Sequence, residues 1–241
     1  MPGTKQGTQS LLIEDQGDRT LIIRLGERID PEIGMRCLSV AETLRHAGLP
    51  GVTDIVPSYT AVAIQYIPTG RDDSPTFASL SEKIRQLVRQ IPANKVVDSR
   101  EVEIPVCYGG ALGPDLEDVA KQCGLTPQEV IDIHTAPGCF VYILGFAPRH
   151  PYIGLLDERL NVPRKDVPRT AVAPGSVATA NRQTAIYPNV LPGGWNMLGA
   201  TPLKLFDVER TPSPALLQPG DRVRFVSITE AEFNRLRDAQ S

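Results

Sequence analysis

Along residues 1–95 the apolar positions switch between a period of two and a period near four, and each switch predicts an element. Thr20 to Gly26, TLIIRLG, reads as a strand. Asp30-Pro31 then supplies an N-cap and a first-turn proline, and Ile33, Cys37, Val40, Ala41 and Leu44 recur at helical spacing until Gly48. VTDIVP and TAVAIQY are two β-rich runs with Pro57-Ser58 between them, which suits a hairpin. Leu80, Ile84, Leu87, Val88 and Ile91 mark a second amphipathic helix ending near Pro92. The order β-α-β-β-α predicts an α+β N-terminal domain with a ferredoxin-like layout and its helices on one face of an open sheet. No titratable cluster stands out here, which leaves a scaffold or docking role.

Ala93 to Ser99 reads as a linker, so the expected domains are 1–95 and 96–241. Glu101 to Val106 opens the second domain as a strand. Two short helices follow, at Gly113-Pro114 and Thr126-Pro127. The second start carries an N-cap threonine, a first-turn proline, Glu129 to complete a capping box, and a Leu125–Val130 staple. CFVYILGF then reads as a buried strand, Leu203 to Phe206 and Arg222 to Ser227 as later ones. A last helix starts at Thr229 with Glu232 closing its box and Ile228 stapling Phe233. Twelve of the 22 prolines fall between Pro137 and Pro219, which excludes long helices there. Many short strands between Gly/Pro turns predict a closed or nearly closed β-barrel.

Composition narrows the function classes. A formal net charge of −3 over 241 residues, with no basic run, argues against a general nucleic-acid binder. The stretch MPGTKQGTQSLLIEDQGDR has no continuous apolar core, so neither a signal peptide nor a membrane span is expected. Cys37, Cys107, Cys123 and Cys139 have no CxxC spacing and sit among apolar residues, which reads as buried free thiols. The three histidines form no ligand pattern, and no structural metal is expected.

Candidate chemistry concentrates between residues 134 and 207. His134 ends the Thr126 helix just before a strand. It is either a terminal histidine favoured by the helix dipole or an acid/base at a corner facing a cleft. Arg164 and Arg169 each follow a proline and are held on stiff backbone, as binding a carboxylate or phosphate requires. The alternative is a pair of surface arginines, and a regular strand would point them to opposite faces. In NRQTAIYP, alternation puts Gln183 and Ala185 on one face and Thr184 and Ile186 on the other, with Tyr187 at the end where it can cap a pocket. Gly193-Gly194-Trp195 makes a tight turn that could also approach a ligand. No GxxxxGK[ST] run occurs, so nucleotide binding of the P-loop kind is not expected.

Taken in order, VCYGGALGPDLEDVA, His134, VYILGFAP, PRKDVPR, APGSV, RQTAIYP, PGGWNMLGATP and LFD resemble the 5-oxoprolinase B-subunit family. It is also called the allophanate hydrolase subunit 1 or sporulation kinase-inhibitor-like family. The resemblance covers essentially the whole second domain and implies a cyclophilin-like β-barrel behind an α+β domain. It also implies a cytoplasmic protein working with the C and A subunits of 5-oxoprolinase, which with ATP open 5-oxo-L-proline to L-glutamate. ATP would bind in the assembled complex. A lactam is a poor electrophile, and phosphorylating its oxygen makes ring opening by water feasible. His134 would then transfer protons, and Arg164, Arg169, Gln183, Thr184 and Tyr187 would bind substrate. Two other activities go with the family: inhibition of a sensor histidine kinase, and a carboxyltransferase-type module for urea or allophanate. The chain departs from the pattern GF-x-PGFPYLGGL, reading GFAPRHPYIGLL with Arg149 and His150 in place of Gly-Phe, and has Ala180-Asn181 where Ala-Gly is usual.

Overall fold

Short polar side chains set the helix starts. In the computed structural model, which describes residues 11–68, 74–92 and 99–240, Asp30 opens α1 (Pro31–Ala47). Its carboxylate accepts from the amides of Glu32 at 2.9 Å and Ile33 at 3.4 Å. Pro31 costs nothing there, because first-turn amides have no partner within the helix. Gly48 ends α1 in the left-handed conformation, as expected. The chain divides into two compact units, Met1–Val97 and Asp98–Ser241. Except for Ser99, the expected linker lies outside the described residues.

In the first unit, β1 (Leu12–Asp15), β2 (Thr20–Arg24), β3 (Val52–Pro57) and β4 (Ala61–Tyr66) make one antiparallel sheet in the order β1-β2-β4-β3. β4 lies between β2 and β3, so α1 joins two strands that run parallel without touching. Leu21, Ile23, Val62 and Ile64 share one core with Leu44 of α1 and Ile84 of α2 (Phe77–Arg89), all fully buried. Each such side chain contributes about 1.5–3 kcal/mol by leaving water. β1 was not predicted. Of its four residues only Ile13 is buried, so it carries almost no pattern. α2 begins with a reciprocal Thr76–Ser79 capping box, another signal the pattern of apolar positions does not contain.

In the second unit, β5 (Glu101–Tyr108), β6 (Cys139–Leu144), β7 (Pro151–Gly154), β9 (Ser176–Ala180), β10 (Gln183–Ile186), β12 (Asn196–Ala200) and β13 (Arg222–Ser227) form a closed seven-strand barrel. Its order is β10-β7-β6-β13-β5-β12-β9, with β13 parallel to β5. One buried cluster gathers alternate residues from every strand, among them Ile104, Val141, Ile153, Val177, Ile186, Leu198 and Phe225. Helices α3 (Leu116–Cys123) and α4 (Pro127–Thr135) pack against that interior through Val119, Val130 and Ile133. A second cluster lies on the outside of the wall. Ala178, Ala180 and Ala185 leave room there for Tyr187, Trp195 and Met197, covered by the two-stranded sheet of β8 (Arg169–Val172) and β11 (Leu191–Gly193). All four cysteines are free thiols, and Cys123 alone of them is only half-buried.

Three local expectations need correction. CFVYILGF ends as a strand at Leu144, because Phe146 turns the chain at φ 66. Leu203 to Phe206 is not a strand. The Lys204 amide donates to the Gln240 side chain and its carbonyl accepts from Arg210, so only the bridge Phe206–Ala215 remains. At α5 (Glu230–Asp238), Thr229 accepts from the Glu232 amide, but the Glu232 carboxylate pairs with Arg235 one turn on and leaves the box half made. The box at Thr126 and Glu129 is complete.

Candidate functional site

His134 sits in the last turn of α4 and is fully buried. Its Nδ1 lies 2.7 Å from the Tyr108 hydroxyl and its Nε2 lies 2.9 Å from the Thr184 hydroxyl. The Thr184 hydroxyl is also 3.0 Å from the carbonyl of Ala178, which can only accept. The single Thr184 proton therefore goes to that carbonyl, and its oxygen accepts from Nε2–H. Nδ1 is then bare and accepts from the Tyr108 phenol. The ring lies 4.3 Å from that of Phe225, and burial pushes its pKa down to about 3. The sequence left His134 as either a helix terminus favoured by the dipole or an acid/base at a corner facing a cleft. The structure encloses it as a neutral imidazole whose donor and acceptor are both used.

The outer face of the wall is different. Asp115, just ahead of α3, caps nothing with its carboxylate. Instead it accepts from Lys165 Nζ at 2.9 Å, from Arg169 at 2.8 Å and from the Met197 amide at 2.7 Å. Burial alone would raise the Asp115 pKa. The bonds from Arg169, Lys165 and Met197 outweigh it and hold the carboxyl below its ordinary value. Two cations thus share one carboxylate, and Arg169 keeps a buried Nη1 with no hydrogen-bond partner. Arg164 adds a third positive charge, its guanidinium 5.7 Å from the centre of the Trp195 ring, with no carboxylate paired to it among the described residues.

The backbone around these cations is pinned. The Asn196 side chain donates to the Pro163 carbonyl at 2.9 Å, and the Lys165 amide donates to Gly194 at 2.7 Å. Trp195 lies 5.7 Å from Tyr152, and His150 lies between Tyr152 and Tyr187 at 5.0 and 5.1 Å. Burial pushes the Tyr152 and Tyr187 phenols up, so both stay protonated. At Gly193 a side chain is impossible without movement, since a Cβ would come 2.2 Å from the Tyr187 hydroxyl.

The six expected site residues therefore fall on two sides of the barrel wall. His134 and Thr184 meet inside. Arg164, Arg169 and Tyr187 gather outside, and Gln183 shares the alternation of Ala185, its carbonyl accepting from the Thr179 hydroxyl. Asp115, Tyr108, Lys165 and Tyr152 were missed. The partners of Asp115 lie 50 to 82 positions along the chain, beyond any local pattern. Among the described residues no group of three or more His, Cys, Asp or Glu could hold a metal ion, and no helix is long and apolar enough to cross a membrane.

The fold comes with a family match: residues 11–217 match the family described as Carboxyltransferase domain, subdomain C and D. A Bacillus subtilis (strain 168) protein, named as the B subunit of 5-oxoprolinase, is 40% identical over 234 residues, 94% of this chain and 96% of its own length. The chain belongs to the 5-oxoprolinase B-subunit family, the allophanate hydrolase subunit 1 family. The crystal structure of TTHA0988 superposes with a TM-score of 0.74 at 38% identity over 87% of this chain, which spans 40% of that longer one. The Kluyveromyces lactis urea amidolyase shares the fold, with a TM-score of 0.76 at 18% identity over 98% of this chain and 16% of its own.

Proposed function

We propose that this chain is one component of a cytoplasmic, ATP-dependent 5-oxoprolinase, which opens 5-oxo-L-proline to L-glutamate together with homologues of the A and C subunits. The observation that carries this reading is 40% identity along nearly the whole of a protein named as the B subunit of 5-oxoprolinase. The outer wall supports it chemically. Arg164 and the spare Nη1 of Arg169 leave positive charge uncompensated beside aromatic rings, which suits one carboxylate or one phosphate group. A triphosphate needs a larger set of donors than these, so ATP is assigned to surfaces completed by the partners, where it would activate the lactam oxygen. Tyr187 and Gln183 orient the ring from the same side of the wall. His134 and Thr184 act in this proposal from behind it: their relay holds β10 in register, a positioning role rather than contact with substrate. The same kinship gives the N-terminal unit a ferredoxin-like reading, supported by the split of β2 and β3 around β4, and the barrel a cyclophilin-like one.

A carboxyltransferase-type role for another small amide is the second reading, favoured by the family's own description and by the shared fold with urea amidolyase. Purified chain is expected to show negligible 5-oxoproline-dependent ATP hydrolysis, restored on adding homologues of the A and C subunits. Robust turnover by the chain alone would remove the shared site. Full assembly with no response to 5-oxo-L-proline, but with response to urea or allophanate, would select the second reading.

A further inference from the structure

The loop from β6 to β7 turns through two left-handed residues, Phe146 and Arg149, each at φ 66, and delivers His150 to the outer wall. The Gly145 amide donates to the His150 carbonyl at 3.0 Å, and the His150 amide donates to Ala147 at 3.1 Å, so the turn is closed on both sides. His150 is 3% exposed, and neither of its ring nitrogens has a hydrogen-bond partner. Phe146 packs against it edge-on at 5.5 Å, and Tyr152 and Tyr187 at 5.0 and 5.1 Å in tilted and edge-on contacts. A purely apolar ring would fill this space with no polar atom left unpaired. Burying two unpaired nitrogens weakens the fold, unless a ligand makes use of one.

The surroundings indicate which ligand. Among the described residues, the titratable side chains in ring contact with His150 are Tyr152 and Tyr187, whose phenols burial keeps neutral. These two rings link His150 to the side of the wall that carries Arg164 and Arg169. Tyr152 contacts the tryptophan under the Arg164 guanidinium, and the Tyr187 phenol feels the charge of both arginines. No described carboxylate other than Asp115 answers those cations. We propose that His150 is a ligand-contacting residue that donates one ring N–H to the carboxylate of a small anion held by Arg164 and Arg169, and that its ring gains a proton as the anion binds. Burial keeps the imidazole neutral beforehand, with its pKa pushed down to about 4. The arriving carboxylate supplies the counter-charge the aromatic box lacks, so solvent yields a proton to the second ring nitrogen. The inference rests on the anion-binding reading of the two arginines and names what that site reads: a carboxylate, through a group that counts protons.

Calorimetric titration of the full chain with 5-oxo-L-proline at pH 6, in two buffers of different ionisation enthalpy, tests it. The expected result is binding with net proton uptake, and no binding of 2-pyrrolidinone, which has the ring but not the carboxylate. His150→Phe should bind at least about tenfold more weakly, without uptake and with no loss of thermal midpoint. His150→Gln should keep part of the affinity but lose the uptake, and it serves if the phenylalanine variant folds poorly. Equal binding by wild type and both variants, or uptake that persists in them, would overturn the role of His150 while leaving the anion site standing. Failure of wild type to bind 5-oxo-L-proline at all would sink the anion site and this inference together.

Discussion

Buried polar side chains decide how the second unit responds to pH. His134 and His150 titrate at about 3 and about 4 when folded, both depressed by burial from an ordinary 6.5. Below pH 6.5 the unfolded chain takes up protons that the folded chain refuses, so stability is complete above that pH and falls as the pH drops toward the folded values. Each histidine contributes a slope of about 1.4 kcal/mol per pH unit within its window. Asp115, also depressed, adds to the loss below its ordinary 3.8. Urea denaturation at pH 7, 6 and 5 should show the decline starting near 6, and a flat profile would mean that both rings reach water. His134→Asn should lower stability by about 2–4 kcal/mol, because it leaves the Tyr108 hydroxyl unpaired and a gap beside Phe225. A variant as stable as wild type would mean that the relay is not formed. The sequence narrowed His134 to a dipole-favoured terminus or an acid/base. Its burial follows from strands 26 and 50 positions away and could not be read locally.

Elements were legible where their causes are local. The caps at Asp30 and Thr126, the left-handed Gly48 and the alternation through Gln183–Ile186 all rest on neighbours within a few residues. β1, β8 and β11 were not, since they are three or four residues long, too short to show a period, and β8 and β11 also gain their pairing from each other about 20 positions apart. The departures from the family pattern now have a backbone meaning. Arg149 stands at φ 66 and Asn181 at φ 51, both where glycine is usual and both in the left-handed region. Asn tolerates that conformation better than Arg does. Arg149→Gly should therefore raise stability by about 0.5–1 kcal/mol, read from the denaturation midpoint, even though it removes the guanidinium from the Phe206 ring. A lower midpoint would show that the contact with Phe206 outweighs the strain.

At the scale of the molecule, each unit owns a core. The first centres on Leu21, Ile23, Val62 and Ile64, and the barrel holds both its interior cluster and the one on its outer wall. Residues 98–241 expressed alone should thus unfold cooperatively on heating, followed by circular dichroism, and a broad non-cooperative melt would show that the barrel needs the first unit. The closed β-barrel was legible at this scale because proline density and short strand runs exclude a helical alternative. The partition of the site was not. Which wall of a barrel a residue faces depends on closure, and closure is decided by pairings that a linear pattern does not contain.

Closure also sets an order in time. β13, the last strand, slots between β6 and β5, running parallel to the first strand of the barrel, with Arg224 paired to Glu101 and Glu103 and Arg100 bonded to Asp221 at 2.9 Å across 121 positions. As the chain leaves the ribosome, β5 and β6 are made early, and each keeps a bare edge until residues 222–227 emerge. For most of its synthesis the nascent barrel is an open sheet carrying the apolar interior that Phe225 will later cover. Such long-range pairing is slow to form, and unpaired edges invite association with other chains. Yield in the cell should therefore depend on chaperone supply and on growth temperature more steeply than the melting point of the finished protein would suggest.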